Sequence, residues 1–480
     1  VVGEGGNLGF TQLGRIEAAL NNVSINTDAI DNSAGVDTSD HEVNLKILLS
    51  LRTDADFTTE KRNQLLASLT DDVGRQVLDD NIYQNELLTV ARAQAHSMAP
   101  VHQRMMRDWH KHGVIDRELE NLPNDRVMAM RIEQGAGLTK PELSVLVAHA
   151  KISLTEALLQ GTAIDEPWSE KYLIEYFPAA LRLDFRAEIL AHPLRREIAA
   201  TVISNNIINR GGITTVWRAL EESGATIDDV VKATVIAIDA GGLEDLYLKV
   251  DELGPDKWNI RIDLLKEIRR YIDRVSRWLV TNRGSNLDVA RDVERFGAAT
   301  NLVRSHLKSH LRGHELERWV RQSKGYVDRG VPESMADAIA GLLDEYAAFD
   351  LAELAASHGV SLEEWSQTYF AISDELGGDM LLSTISALSR DDRWQTMARA
   401  ALRADMYTVL ASVTEKVLLS SMNSSFEDRL IDWLTTQSVG ITRVKDLLSE
   451  IAQRSDVDIA AISVALRTLR SLVTQTAASK

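Results

Sequence analysis

From about Asp56 to the end of the chain, apolar residues recur at three- and four-residue spacing, the period of a helix with one buried face. Ile462, Leu466, Leu469 and Leu472 are a clear instance. Several of these periodic stretches are preceded by side chains able to satisfy the free N–H groups of a first helical turn. Thr139-Lys140-Pro141-Glu142 reads as a capping box before a helix over 143–159. Ser361-Leu362-Glu363-Glu364 and Ser455-Asp456-Val457-Asp458 repeat the arrangement, the second with Asp in place of Glu. Eight prolines serve the whole chain and none follows Pro332, so little interrupts the helical pattern late in the sequence. Breaks are expected at 161–167, 254–257 and 325–332. Neither a repeat of solenoid length nor a sustained heptad stands out.

The opening has a different texture. Gly3, Gly5, Gly6 and Gly9 crowd one loop, and Gly35 marks another. Between them, 11–21 has the apolar spacing of a short helix, and 23–30 can form a strand. Strand end, Gly-rich loop, helix, strand and a second small-residue loop make an α/β pattern. The expected fold class is therefore mainly α: an N-terminal remnant of a Rossmann-like α/β dinucleotide-binding domain over 1–55, then a large all-helical domain over 56–480.

Composition narrows the class of protein. A 44% hydrophobic and 26% charged sequence is that of a globular chain, and no apolar run reaches membrane-spanning length, so no membrane partner is expected. The opening residues lack the basic start and apolar stretch of a signal peptide, and without an initiator Met, Val1 reads as a point inside a longer polypeptide. The balance of 53 basic against 71 acidic residues, net −18, has the wrong sign for gripping phosphate backbones, so nucleic acid is not an expected partner. Cysteine is absent, which removes disulfide frameworks, thiolate metal sites and cysteine nucleophiles together and fits a cytoplasmic location.

Two segments carry a more specific likeness. Glu4-Gly5-Gly6-Asn7 is similar to the Glu-Gly-Ala-Asn loop of the glutamate dehydrogenase superfamily. Asn32-Ser33-Ala34-Gly35-Val36-Asp37-Thr38-Ser39 is similar to its Asn-Ala-Gly-Gly-Val-Thr-Val-Ser loop. The longer wording around both, together with Gly135-Ala136-Gly137-Leu138-Thr139-Lys140-Pro141-Glu142-Leu143, resembles the large bacterial NAD-dependent class, of which this would be a C-terminal part. The resemblance implies oxidative deamination of L-glutamate to 2-oxoglutarate with NAD as cofactor. It implies that Asn7 and Asn32 contact the nicotinamide side of NAD, helped by Gly5, Gly6 and Gly35, and that Ser39 binds the substrate α-carboxylate. The chemistry suits these roles. Asn both donates and accepts, glycine lets main chain approach a ligand closely, and a Ser at or near a helix start adds its hydroxyl to free N–H groups. The family's catalytic Lys and Asp and its Gly-rich nucleotide fingerprint have no counterpart here and are expected upstream of Val1, so no catalytic residue is assigned. The remainder of the polypeptide and further copies of the chain are the expected partners. The alternative is a non-catalytic helical scaffold or regulatory module.

Other polar groupings have plainer explanations. Asp37, Asp40, His41 and Glu42 could move protons, but charge beside a loop is more often solvated or paired. His306, His310 and His314 recur every four residues, as along one helix face, yet no further ligand completes a metal site and none is expected. Asn205, Asn206, Asn209 and Arg210, before Gly211-Gly212, read as the capped end of a helix. The sequence departs from the small hexameric dehydrogenases at Asp37, Asp40 and His41.

Overall fold

The computed structural model describes residues 1–6, 9–54, 56–389, 392–420, 425–454 and 456–474. The chain divides into two compact units, Val1–Val235 and Ile236–Lys480.

The first unit opens with α1 (Gln12–Leu20), α2 (Asp28–Asp31) and α3 (Ser33–Ser50), followed by α4 (Thr59–Ser68), α5 (Thr70–Ala93) and α6 (Ala95–Lys111). Next come α7 (Asp125–Glu133), α8 (Lys140–Gln160), α9 (Glu170–Tyr176), α10 (Arg186–Leu190), α11 (Arg195–Gly211) and α12 (Thr215–Ser223). Thr11 caps α1 by accepting from the Gly14 N–H at 3.1 Å. The capping box before α8 forms as read, and its Glu142 is almost fully buried. Gly212, the C-cap of α11, has φ +105, a backbone position that favours glycine. One core joins Leu45, Leu48 and Leu49 of α3, Val73 and Val77 of α5, Leu173 of α9 and Ile198 of α11, with Phe177 and Phe185 between them.

Helix α13 (Ile227–Ala240) precedes α14 (Leu243–Asp251), α15 (Trp258–Arg283), α16 (Val289–His310) and α17 (Gly313–Val327). The second unit continues with α18 (Glu333–Glu345), α19 (Ala347–His358), α20 (Leu362–Glu375) and α21 (Gly378–Ala387). It ends with α22 (Arg393–Leu419), α23 (Phe426–Thr436), α24 (Ser438–Ala452) and α25 (Ile459–Thr474). Trp278, Phe296 and Phe349 pack their rings edge-on or tilted, 5.0–5.6 Å apart, at the junction of α15, α16 and α19. Ser361 caps α20, and α25 buries Ile462, Leu466, Leu469 and Leu472. Asp458 accepts from the Ala461 N–H at 2.8 Å at the start of α25, whereas Ser455 lies outside the described residues.

The mainly α expectation holds, but the α/β opening does not. Among the described residues no strand forms. The stretch expected as a strand is extended only at its start, and α2 takes its end. Among the described residues a single backbone bond, Val2 N–H to the Ser24 carbonyl at 2.9 Å, joins the opening residues to this stretch. One bond is not a ladder, and even a fully paired but isolated two-stranded arrangement is marginally stable at best. Asp28 and Asp31, both in the first turn of α2, favour the helix instead.

Candidate functional site

The two loops singled out in the sequence are tied together. The Asp31 carboxylate accepts the Glu4 N–H at 3.1 Å on one oxygen and the Asn26 side-chain amide at 2.8 Å on the other. Glu4 itself is buried, and its carboxylate takes two bonds from Arg15, at 2.6 and 2.8 Å. Gly5 and Gly6, both exposed, follow the clamped Glu4 in the chain, as Asn32 follows the clamped Asp31. A Cβ at Gly5 or Gly6 would meet no atom within 4 Å, and at Gly35 it would meet only Asn32 Oδ1 at 3.7 Å. Asn7 lies outside the described residues.

Asn32 precedes α3 as its N-cap residue, but its side chain makes no cap hydrogen bond. Ser39 is not where the sequence reading put it. It is the seventh residue of α3, past the free N–H groups of the first turn, and it is exposed. It can neither cap this helix nor share those N–H groups with a ligand. At 100° per residue, Gly35 and Ser39 share one face of α3 with Asn32, while Asp37, His41 and Asn44 share the other.

That second face carries a cluster the sequence did not reveal. The His41 ring stacks on Tyr176 at 4.4 Å and 10°, and the Asn44 amide donates to the Tyr176 hydroxyl at 2.9 Å. One ligand atom from each of Asp37, His41 and Asp80 lies within 4.8 Å of the other two. Burial, reinforced by Asp80 and Asp40, pushes the Asp37 carboxyl up to about 6, and burial raises Asp80 as well. Burial brings Lys151 down to about 8 against the pull of Asp80 and Asp37, and it lowers His41 too. The spacing of the three acceptor groups would suit a cation. Lys151 already directs a positive charge at both carboxylates, so the protein supplies the balancing charge itself. Asp80, Lys151 and Tyr176 come from α5, α8 and α9, and no local pattern links those positions.

The other groupings resolve into packing. His306 and His310 stack at 5.4 Å on α16, and the buried His310 Nδ1 lies 3.0 Å from Ser366 Oγ. His314 belongs to the next helix, α17, beside Glu317, so the three do not line one face. Arg210 lies over the Tyr83 ring at 4.6 Å. In the second unit, buried Glu315 accepts from Ser373 Oγ at 2.6 Å, near Asp344 and Asp379, which share Arg318. Burial, followed by the charge of Asp344, pushes Glu315 up to about 8.

A mainly helical chain in which a glycine-rich loop is clamped to the residues leading into α3 is suited to presenting small polar groups to a ligand. Residues 135–471 match the family described as glutamate dehydrogenase, C-terminal, and residues 1–91 match bacterial NAD-glutamate dehydrogenase, catalytic domain. The chain belongs to the glutamate dehydrogenase family. It is 39% identical over 476 residues to an NAD-specific glutamate dehydrogenase of Mycobacterium tuberculosis. Proteins of the same name from Pseudomonas aeruginosa and Halomonas elongata are 37% and 32% identical over 475 and 477 residues. Each alignment covers 98% of this chain, which spans 29% of each relative's length. Among the described residues no helix is long and apolar enough to cross a membrane.

Proposed function

We propose that this chain forms one edge of the active site of an NAD-dependent glutamate dehydrogenase, converting L-glutamate to 2-oxoglutarate and ammonium. What supports the reading is the Glu4–Asp31 clamp, which joins the Gly5-Gly6 loop to Asn32 in a chain matched nearly end to end by NAD-specific relatives. The residues fit the cofactor. The space over Gly5 and Gly6 is open, and Asn32, Gly35 and Ser39 share one face of α3. NAD, when bound, supplies the hydride acceptor. Asn7 and Asn32 hold the ribose and carboxamide by donating and accepting at once, and Ser39 donates its hydroxyl to the glutamate α-carboxylate.

The protein's task in hydride transfer is largely alignment of Cα with the nicotinamide, and these residues serve alignment. No acid–base role is assigned to this chain; the catalytic Lys and Asp belong to the rest of the polypeptide. Residues 1–55 close the catalytic part, and the helical residues 56–480 pack against it, mediate homo-oligomer assembly or transmit regulation, in the cytoplasm. In the full-length enzyme, Ser39→Ala removes a hydrogen bond to a charged group, worth about 1.5–3 kcal/mol. The kcat/KM for glutamate should fall roughly ten- to a hundredfold, with NAD affinity little changed. Because Ser39 is exposed and inside α3, thermal stability should stay within about 0.5 kcal/mol of wild type. An unchanged glutamate kcat/KM sinks the assignment.

A further inference from the structure

Helix α5 presents Asn81, Asn85 and Thr89 at four-residue intervals, hence along one face. Their side chains form a chain of hydrogen bonds that reaches the loop carrying Asn32 from both sides. Asn81 Nδ2 donates to the Ile30 carbonyl at 2.8 Å and to Ser33 Oγ at 2.9 Å, bracketing Asp31 and Asn32. Asn85 Nδ2 donates to Asn81 Oδ1 at 3.1 Å, and Asn85 Oδ1 accepts from Asn26 Nδ2 at 2.8 Å, the same amide that holds Asp31. Thr89 Oγ1 donates to the Asn85 carbonyl at 2.7 Å and accepts from Lys140 Nζ at 3.0 Å. Lys140 opens α8, whose Pro141 carbonyl accepts from Gln12 of α1 at 3.2 Å. The far end is anchored. Thr139 N–H and hydroxyl and Arg131 Nη1 all donate to Glu142 Oε2 at 2.7 Å, and Gly137 comes so near α6 that a Cβ there would lie 2.2 Å from the Ala95 carbonyl oxygen.

We propose that Asn81, Asn85 and Thr89, anchored through Lys140, are positioning residues for hydride transfer: they set Asn32 and, through Asp31, the Gly5-Gly6 loop against the nicotinamide. The proposal rests on the reading of those loops given above. None of the ladder residues need touch NAD or glutamate. A long helix tied into the core is a stiffer reference than a loop, and an active-site constellation held by such a second layer keeps its geometry.

The test uses the full-length enzyme and compares Asn81→Ala, Thr89→Val and, as a direct loop variant, Asn32→Ala. Each is assayed for kcat, for KM with NAD and glutamate, and for the deuterium isotope effect with glutamate labelled at Cα. Misalignment slows hydride transfer itself, so Asn81→Ala should lower kcat about tenfold or more and raise the isotope effect, with glutamate KM changed less than about threefold. A ladder that only stabilises the fold would reduce the active fraction and leave the isotope effect and both KM values at wild type. That result in folded Asn81→Ala, alongside an altered Asn32→Ala, overturns the ladder proposal. Wild-type kinetics in Asn32→Ala instead overturn the assignment of the loop. If Asn81→Ala does not fold, Thr89→Val decides: it keeps the shape and removes the hydroxyl, and an unchanged isotope effect there overturns the proposal.

Discussion

Glu315 offers a test in which pH separates the wild type from a single variant. Its side chain is buried among α17, α18 and α20 with one bond, from Ser373, and with Asp344 close by. Desolvation and that like charge raise the carboxyl from its ordinary 4.5 to about 8. A group raised on folding contributes its full stability below the unfolded value and loses it as pH climbs through the folded one. Here the window is therefore about pH 4.5 to 8. At about 1.36 kcal/mol per pH unit, the whole displacement is worth on the order of 5 kcal/mol, and roughly half of it accrues between pH 6 and pH 9. Glu315→Gln keeps the shape and an acceptor for Ser373 but does not titrate. Urea unfolding of the chain, read as the difference between variant and wild type, cancels the groups that do not interact with Glu315 and leaves Glu315 with its neighbour Asp344. The variant's advantage should grow by ~2–3 kcal/mol from pH 6 to pH 9. A difference that stays constant across that range would show that the burial and the Asp344 charge do not act on Glu315 as described.

Two further predictions concern the first unit. Gly137→Ala forces a Cβ against the Ala95 carbonyl, a backbone group that cannot swing aside, and should cost ~1–3 kcal/mol in urea unfolding; a neutral result would refute the close approach of α8's leading turn to α6. Lys151→Met strips the balancing charge from Asp37 and Asp80 and should destabilise by about 3 kcal/mol at pH 7, below the Lys151 value of about 8 and above the Asp37 value of about 6. The loss should shrink at pH 5, because Asp37 takes up a proton as pH falls below about 6; a loss equal at the two pH values would count against the pairing.

How much of this could be read from the sequence varies with the range of the interaction. The capping box at Thr139 and the simple cap at Ser361 are legible because the donors and acceptors lie three residues apart, although at Ser361 the return bond from Glu364 does not form. The apolar face of α25 was legible because its period is local. The strand expected over 23–30 does not form because strand formation depends on distant neighbours, whereas Asp28 and Asp31 act on the adjacent turn. The residues around Ser39 point to a nearby helix start but do not show how early the helix winds, and α3 begins at Ser33. The groups around Asp37 and His41 were noticed as charge beside a loop. Their partners Asp80, Lys151 and Tyr176 arrive from three other helices and could not be assigned from one sequence. The Asn81–Asn85–Thr89 ladder has a local spacing, but polar residues at that interval read as a solvated face until Asn26, Ile30 and Ser33 are seen against them.

The segment from Asp31 to Ser39, the end of α2 and the opening turns of α3, is proposed to meet cofactor and substrate directly. The most direct measurement is a structure of the full-length polypeptide with NADH and 2-oxoglutarate bound. Asn32 Nδ2 or Oδ1 should then lie about 3 Å from the nicotinamide carboxamide, and Ser39 Oγ about 3 Å from the 2-oxoglutarate carboxylate next to the keto carbon. Both ligands bound elsewhere, with the Asn32–Ser39 face of α3 covered only by protein, would contradict it.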